Sequence, residues 1–327
     1  MSLVSVILPC FNAEPSIKSA IDSICQQTFQ DWELLVIDDG STDNTVEIIN
    51  SLADKKIKVV LLGRNAGYPS AMNEGIARAQ GKFIARMDAD DISAPTRLAE
   101  QLKALHLHPS AAFCGVARYR ITPGGKMYSD KHVSADYYRF ETWENLMSGA
   151  RIFTDPSVMI SKEKLLAAGG YRTFQRSGMD VDLWLRAMEL SGPCITITKP
   201  LFGKRLEPGS IIFNPQTYLI NQVPRVLARQ RKETGKDDIQ LGNGVNLEAY
   251  KERGLVKEGV KDEKIGLLYG ALVSCLWLGD WKGCKIYFLQ LRSLSGERLS
   301  TIILTTLKKT FRRVKDNPYE KWPKDDL

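Results

Sequence analysis

Three aspartates stand close together at the end of an apolar segment within residues 81–97. Asp88, Asp90 and Asp91 follow directly after the apolar run. Side chains two positions apart in an extended segment point to the same side, so we expect Asp88 and Asp90 to converge. Two such carboxylates repel each other unless a cation lies between them, and hard oxygen ligands suit Mg²⁺ or Mn²⁺. The alternative is an acidic loop that caps the helix starting near Pro95.

The elements that would position these carboxylates alternate between strand and helix. The predicted strands are 3–9, 33–37, 57–62 and 82–86, and the predicted helices are 16–27, one from about residue 44, 70–80 and one from near residue 95. This alternation predicts an α/β fold with a mostly parallel sheet flanked by helices. In open sheets of this kind ligands bind beyond the carboxyl ends of the strands, where the polar clusters of this chain lie.

Four segments of the chain resemble the nucleotide-sugar-binding half of a family 2 glycosyltransferase of bacterial polysaccharide type. They read VILPCFNAE, ELLVIDDGSTDNT, RNAGYPSAMNEGIARAQ and GKFIARMDADD. Their order, spacing and identity agree with the family over about the first 100 residues. The resemblance implies the Rossmann-like GT-A fold and a nucleoside diphosphate sugar as donor.

The resemblance also implies which residues bind the nucleoside. Three residues would line its pocket: Pro9, Phe11 and Asn12. Asp39 would pair with a uracil-type base, which favours a uridine diphosphate (UDP) sugar, and Arg64 would lie near the base or ribose. Asp38 is the strand-end neighbour of Asp39, and stabilisation of the turn is an equal alternative for it.

The aspartate cluster acquires roles from the same resemblance. Asp88 would reach the ribose or the metal, and Asp90 would be the main metal ligand on the diphosphate. Asp91 is equally well explained as a carboxylate at a helix N-terminus, where the helix dipole favours negative charge. A bound Mn²⁺ or Mg²⁺ would stabilise the departing nucleoside diphosphate as a Lewis acid.

Residues 177–186, SGMDVDLWLR, resemble the family segment that carries the catalytic base. Asp180 stands at the position of the base, whereas Met179 replaces the usual Glu. A positioned carboxylate must remove the proton of the acceptor hydroxyl, and one base without a second nucleophile predicts inversion of the anomeric configuration. Helix capping is the alternative for Asp180. Asp182 and Arg186, four residues apart, predict a helical ion pair.

A second departure from the family pattern comes at 205–210. The family often has a His that completes the metal shell where this chain has Glu207. A carboxylate is an acceptable ligand for Mg²⁺ or Mn²⁺, but the metal could equally be left to Asp90, water and diphosphate. Arg205 and Ser210 would contact the diphosphate. Between the motifs, residues 153–160 resemble the first strand on the acceptor side.

Composition favours an enzyme of a reducing compartment. The six cysteines of the 327 residues form no CxxC pair and no disulfide-like framework. The chain enters a strand at once, which argues against a secretory signal, and its longest apolar stretch, 265–278, is shorter than the roughly 20 residues that span a bilayer. We therefore expect a cytoplasmic protein, with a peripheral position at the inner face of the plasma membrane left open.

Charge divides the chain into two regions. Residues 1–224 contain 24 Lys and Arg and 24 Asp and Glu, so the net charge of +7 belongs to the remainder. We predict a GT-A domain over 1–215 and a basic helical region over 216–327, with helices at 216–234, 246–253, 261–278, 282–294 and 297–315. The last is a basic amphipathic helix, typical either of contact with anionic lipid or of domain packing. Binding of nucleic acid is not expected, because the basic residues lack interleaved aromatics.

These features favour one function over two alternatives. The favoured function is an inverting glycosyltransferase that moves a sugar from a UDP-sugar to a saccharide or glycolipid acceptor in cell-surface polysaccharide or glycolipid synthesis. Met179 and Glu207 motivate a catalytically silent nucleotide-sugar-binding protein. A metal-dependent nucleotidyltransferase is the third hypothesis, but LPCFNAEPS is not the Gly-rich phosphate loop expected of such an enzyme.

Overall fold

A mixed α/β sheet organises the chain. The computed structural model describes residues 3–52, 54–129, 136–149, 153–174, 177–205, 220–256 and 261–295. Within these residues ten strands form one sheet. They are β1 (Val4–Cys10), β2 (Trp32–Asp38), β3 (Ile57–Leu61), β4 (Phe83–Arg86), β5 (Ile92–Ser93), β6 (Cys114–Ile121), β7 (Met127–Ser129), β8 (Tyr138–Glu141), β9 (Met159–Ser161) and β10 (Cys194–Arg205).

The strand order brings four carboxyl ends to one edge. The order is β3-β2-β1-β4-β9-β6-β10-β5, with β7 paired to β6 and β8 to β10. Strands β3, β2, β1 and β4 run parallel, so the polar segments that follow them meet at one edge. Strand β9 runs antiparallel to β4 and to β6, which makes the second half of the sheet mixed.

Helices cover both faces of the sheet. They are α1 (Ile17–Cys25), α2 (Thr45–Asn50), α3 (Tyr68–Arg78), α4 (Arg97–Leu107), α5 (Trp143–Ser148), α6 (Lys162–Ala167), α7 (Met179–Ser191), α8 (Val223–Thr234), α9 (Leu247–Glu252), α10 (Lys261–Leu278) and α11 (Trp281–Ser295). Strand β1 shows why: Val6 and Leu8 belong to one apolar core, whereas Ile7 belongs to the core on the other face. A strand buried on both sides is mostly apolar, as β1 is except at Ser5.

The predicted strands and helices of the first hundred residues are confirmed, but only the end of the predicted strand over 153–160 forms a strand. Asp155–Ser157 form a 3₁₀ turn, and only Met159–Ser161 pair with β4 as a strand. Pro156 has no N–H to donate to a sheet ladder, and it stands where the predicted strand would need one.

The later helices agree with the predicted pattern where they are described. Helices α10 and α11 form a hairpin around Gly279 and Asp280, as predicted, and pack against Tyr128 of β7. The Asp280 carboxylate accepts hydrogen bonds from Gly124 N at 2.9 Å and Gly283 N at 3.0 Å. The predicted helix over 297–315 lies outside the described residues, and the boundary at 215 stays a prediction. Among the described helices, none combines the length and the apolar character needed to cross a bilayer.

Candidate functional site

The loops that follow β1 and β2 are tied together. Asn12 has a φ of 49°, an αL conformation that Asn tolerates better than most residues. Its backbone N–H donates to Ser41 Oγ at 2.9 Å, and its side-chain Oδ1 accepts from Thr42 N at 2.8 Å. Phe11 is 46% exposed beside this junction, and Pro9 lies in β1 opposite Ile37. The structure therefore brings the predicted nucleoside-pocket residues together at the carboxyl edge.

The neighbouring aspartates after β2 have different partners. Asp38 accepts hydrogen bonds from the backbone N–H groups of Gly40 and Ser41 at 3.2 and 3.1 Å, so it stabilises its own turn. Asp39 accepts from Ala66 N at 2.7 Å and Gly67 N at 2.9 Å, so it anchors the loop after β3. A carboxylate has about four lone-pair sites, so Asp39 keeps acceptor capacity for a base.

Gly40 allows the loops after β2 and β3 to approach each other. Its φ is +81°, and a Cβ at this position would lie 2.8 Å from the backbone carbon of Arg64. A side chain here would push the two loops apart. Arg64, predicted near the base or ribose, is thus held beside the Asp38–Asp39 turn.

The three aspartates after β4 form a cluster that suits a hard cation. One carboxylate oxygen from each of Asp88, Asp90 and Asp91 lies within 4.8 Å of the others. Asp88 and Asp90 are half-buried, whereas Asp91 is fully buried. Asp91 accepts from Arg205 N at 2.9 Å and Lys204 Nζ at 3.1 Å. Oxygen-only donors fit Mg²⁺ or Mn²⁺, with Asp88 and Asp90 the more accessible ligands.

Lys204 is the cation that this cluster already contains. Its Nζ lies 3.1 Å from Asp88 Oδ2 as well as 3.1 Å from Asp91 Oδ2. Burial alone would lower the pKa of Lys204, but the charges of Asp91, Asp88 and Asp90 outweigh burial and raise it. Burial alone would raise the pKa of Asp88, but the charges of Lys204 and Arg86 outweigh burial and lower it. Both groups are therefore ionised near neutral pH.

Asp180 reaches the same edge through the side chain of Arg86. Asp180 stands in the first turn of α7, and its Oδ1 lies 2.6 Å from Arg86 Nη1. Arg86 Nη2 donates to the hydroxyl of Tyr68 and lies 3.5 Å from Asp88 Oδ1. The Tyr68 hydroxyl in turn donates to Asp88 Oδ1 at 3.0 Å. A continuous polar path therefore links Asp180 to the carboxylate cluster.

Sequence reasoning missed Arg86, Tyr68 and Lys204. A signal existed for Arg86, because a charged residue ended a strand that was predicted to be buried, and such a charge needs a partner. Lys204, in β10, and Tyr68, at the start of α3, carried no comparable signal in the sequence.

Asp182 belongs to a separate ion network behind the site. Six charged side chains among the described residues form it: Asp182, Arg186, Arg172, Asp237, Arg231 and Glu189. Arg186 donates from Nε and Nη2 to Asp182 Oδ2 at 3.0 and 2.8 Å, which confirms the predicted helical ion pair. Arg231 pairs with Asp237 at 2.5 Å and with Glu189 at 2.7 Å. The network joins α7 to α8.

Two of the predicted site residues, Glu207 and Ser210, lie outside the described residues. Arg205 is at the carboxylate cluster, where its Nε donates to the backbone carbonyl of Asp90 at 2.8 Å.

A cavity of about 580 Å³, lined partly by Leu3 and Lys82, opens at the opposite edge of the sheet, where β1 and β4 begin. Its position separates it from the carboxylates.

Comparison with protein families and curated proteins gives consistent matches. The family model described as "Glycosyl transferase family 2" matches residues 5–167. The putative glycosyltransferase EpsE of Bacillus subtilis (strain 168) is 30% identical over 225 residues, which cover 67% of this chain and 78% of EpsE. An uncharacterized glycosyltransferase of Haemophilus influenzae is 41% identical over 129 residues, but the match covers 37% of this chain and about half, 52%, of that relative.

Two further similarities concern proteins whose descriptions mention uridine nucleotides. The Escherichia coli enzyme WfgD, described as a UDP-Glc:alpha-D-GlcNAc-diphosphoundecaprenol beta-1,3-glucosyltransferase, is 40% identical over 103 residues, or 32% of this chain and 41% of WfgD. The crystal structure of S. aureus TarS 1–349 in complex with UDP-GlcNAc superposes with a TM-score of 0.58. It covers 91% of this chain and 93% of that chain at 16% identity. At that identity the likeness shows a shared fold.

Proposed function

Because the chain belongs to glycosyltransferase family 2 and has the GT-A fold, we propose that it transfers a sugar from a UDP-sugar to an acceptor hydroxyl with inversion. One observation carries the proposal: Asp180 meets the carboxylate cluster at the carboxyl edge of the parallel strands, through Arg86. A donor site and a candidate base therefore stand side by side. The descriptions of WfgD and of the TarS complex support a uridine donor.

The donor nucleoside would lie over the tied loops after β1 and β2. Asp39 would accept a hydrogen bond from the base while it continues to hold the loop after β3. Asp90 and Asp88 would hold the Mn²⁺ or Mg²⁺ on the diphosphate, and Arg205 would contact the same phosphates. Glu207 and Ser210 remain proposed as metal and diphosphate contacts from the sequence. The metal, when bound, would stabilise the negative charge that develops on the leaving diphosphate.

The acceptor hydroxyl would lose its proton to Asp180. Arg86 holds one oxygen of Asp180, which fixes the orientation of the carboxylate at the edge of the donor site. The transferred sugar carbon becomes oxocarbenium-like as the diphosphate leaves. The departing diphosphate occupies one face of the sugar, so the acceptor oxygen would attack from the opposite face. A single base is sufficient for this reaction, and the anomeric configuration inverts. Asp182 is unsuited to the role because its side chain is 1% exposed and bound to Arg186.

A screen of UDP-sugars and other nucleoside diphosphate sugars tests this proposal. We expect slow hydrolysis of one donor by the full chain, dependent on Mn²⁺ or Mg²⁺, and transfer to a saccharide or glycolipid acceptor with inversion by NMR. A retained configuration would contradict the proposed mechanism. Donor binding without turnover on any acceptor would favour a nucleotide-sugar-binding protein instead.

We also propose that the basic helix predicted over 297–315 brings the protein to an anionic membrane surface. The support is the sequence pattern of Leu304, Leu307 and Phe311 against Lys308 and Arg312. Each basic residue near such a surface contributes about 1 kcal/mol of attraction. Co-sedimentation with phosphatidylglycerol vesicles at low salt should fall when Lys308 and Arg312 are changed to Gln. No binding of the unmodified chain would leave the helix with a packing role.

A further inference from the structure

Lys204 contacts two of the three carboxylates that could hold a metal ion. Its ammonium lies 3.1 Å from Asp88 Oδ2 and 3.1 Å from Asp91 Oδ2. It thus bridges a half-buried carboxylate, which faces the proposed donor site, and a fully buried carboxylate beneath it. Bridging of two acidic groups is the same task that a divalent cation would perform there.

The cluster is compact, so a metal ion bound to Asp88 would lie close to the Lys204 ammonium. The three candidate ligand oxygens lie within 4.8 Å of one another. Mg²⁺ binds oxygen at about 2.0–2.1 Å, so ligands on one ion stand closer together than this limit. An ammonium that remained within 3.1 Å of Asp88 would lie against the incoming ion and repel it. Binding of a metal through Asp88 therefore requires Lys204 to move.

The geometry of β10 lets the ammonium move without disturbing the strand. The backbone of the next residue, Arg205, is fixed by its own hydrogen bond to Asp91 Oδ1 at 2.9 Å. Lys204 itself is held to the carboxylates only by the end of a flexible four-carbon chain, and its side chain is 29% exposed. The ammonium can therefore turn from Asp88 towards a ligand at the donor site while the strand end stays in place.

We propose that Lys204 is a resident counter-cation that competes with the divalent ion for Asp88 and transfers to the donor diphosphate when metal and nucleotide bind together. The inference rests on the proposed metal-dependent donor site. Without nucleotide, the metal must displace an ammonium that gains no new anionic partner, so metal binding is weak. With a diphosphate present, the displaced ammonium gains phosphate oxygens, and the two ligands assist each other.

Mn²⁺ titration of the full chain, with free Mn²⁺ followed by electron paramagnetic resonance, tests the competition. Without nucleotide, Lys204→Met should bind Mn²⁺ at least about fivefold more tightly than the unmodified chain, the lower end of typical coupling between two ligands. Lys204→Arg keeps the positive charge and should stay close to the unmodified chain. Lys199→Met, at an exposed lysine of the same strand, is the matched control and should leave Mn²⁺ affinity unchanged. Lys204→Gln, which can still donate to Asp91, replaces the Met variant should that one not fold.

A second titration tests the transfer to the diphosphate. UDP should raise the Mn²⁺ affinity of the unmodified chain by a larger factor than that of Lys204→Met, because the variant has no ammonium to transfer. Equal Mn²⁺ affinity of Lys204→Met and the unmodified chain would overturn the inference and leave the metal site standing. Absence of Mn²⁺ binding in the unmodified chain and in every variant would overturn both the inference and the proposed metal site. Loss of UDP affinity in Lys204→Met with no gain for Mn²⁺ would also overturn competition, and would leave Lys204 as a nucleotide contact alone.

Discussion

Helix α7 lies between two charge clusters that are built from the same residue types. On one side Asp180 faces the sheet edge, where half-buried Asp88 and Asp90 are accessible to a ligand. On the other side Asp182 faces α8, and its side chain is 1% exposed within the network of three Arg and three acidic residues described above. The two aspartates are only two positions apart, yet their surroundings differ in how completely the charges are enclosed.

The difference shows how a fold separates structural charges from reactive ones. A buried charge is costly unless it is paired, and Asp182 is paired with Arg186 through Oδ2, whereas its Oδ1 has no hydrogen-bond partner among the described residues. This enclosed network is suited to joining α7 to α8. The carboxylates at the sheet edge are less enclosed, because Asp88 and Asp90 are only half-buried and the side chain of their partner Lys204 is 29% exposed. Residue type alone does not distinguish the Asp182 network from the carboxylates at the sheet edge. Their exposure and the identity of their partners distinguish them.

The largest expected effect concerns Asp180. Asp180→Asn keeps the size of the side chain but cannot accept the acceptor proton, and loss of a general base typically costs about 10²–10⁴ in rate. The donor dissociation constant should stay the same, since Asp180 lies outside the nucleotide loops. Turnover and donor affinity measured on the same preparation check both statements. Near-normal turnover would remove Asp180 from its role.

Asp182→Asn should damage stability rather than chemistry. Removal of one partner from a buried ion pair costs about 3–5 kcal/mol, because Arg186 would then be buried without its counter-charge. Urea unfolding should show this loss, whereas donor affinity of the folded fraction should persist. Glu163→Gln, at an exposed position of α6, is a control expected to change neither property. A stable Asp182→Asn variant with reduced turnover would break the distinction between the two clusters.

Asp90 and Asp91 extend the comparison to a single loop. Asp90→Asn should lower the Mn²⁺-dependent affinity for UDP by at least about tenfold, the scale of damage that lost metal-site partners cause. The melting temperature should change little, because Asp90 is half-buried. Asp91→Asn should instead lower the melting temperature, since its carboxylate holds both Lys204 and the backbone of Arg205. Metal-dependent affinity undiminished in Asp90→Asn would refute the metal assignment.

Asp39 should give the smallest effect of the five aspartates. Asp39→Asn replaces one carboxylate oxygen with an amide NH2, so it removes one of the two hydrogen bonds from Ala66 and Gly67 together with acceptor capacity for a base. We therefore expect uridine nucleotides to bind about tenfold more weakly. Isothermal titration with UDP and with ADP separates the two roles of this residue. A selective loss for UDP supports base recognition. An equal loss for both nucleotides would mean that Asp39 acts only through Ala66 and Gly67.

The sequence by itself determined the first four strand–helix units and the position of the acidic cluster. Alternation of apolar strands and amphipathic helices is a local signal, and the carboxyl ends of parallel strands must share an edge. Asp88, Asp90 and Asp39 therefore fall at that edge whatever the rest of the chain does. The ion pair between Asp182 and Arg186 was equally local, because four residues make one helical turn. Within residues 153–160, Pro156 lies in a 3₁₀ turn and only the end of the segment forms a strand.

Only the tertiary structure decided which partner each charge meets. Arg86 and Asp180 are 94 positions apart in the chain, and Lys204 and Asp91 are 113 apart. Their contacts depend on β9 running antiparallel beside β4 and on β10 passing back across the sheet, which no local pattern specifies. Whether a carboxylate is enclosed or open follows from that long-range packing. For this reason Asp180 and Asp182 look alike in the sequence and differ in the folded protein.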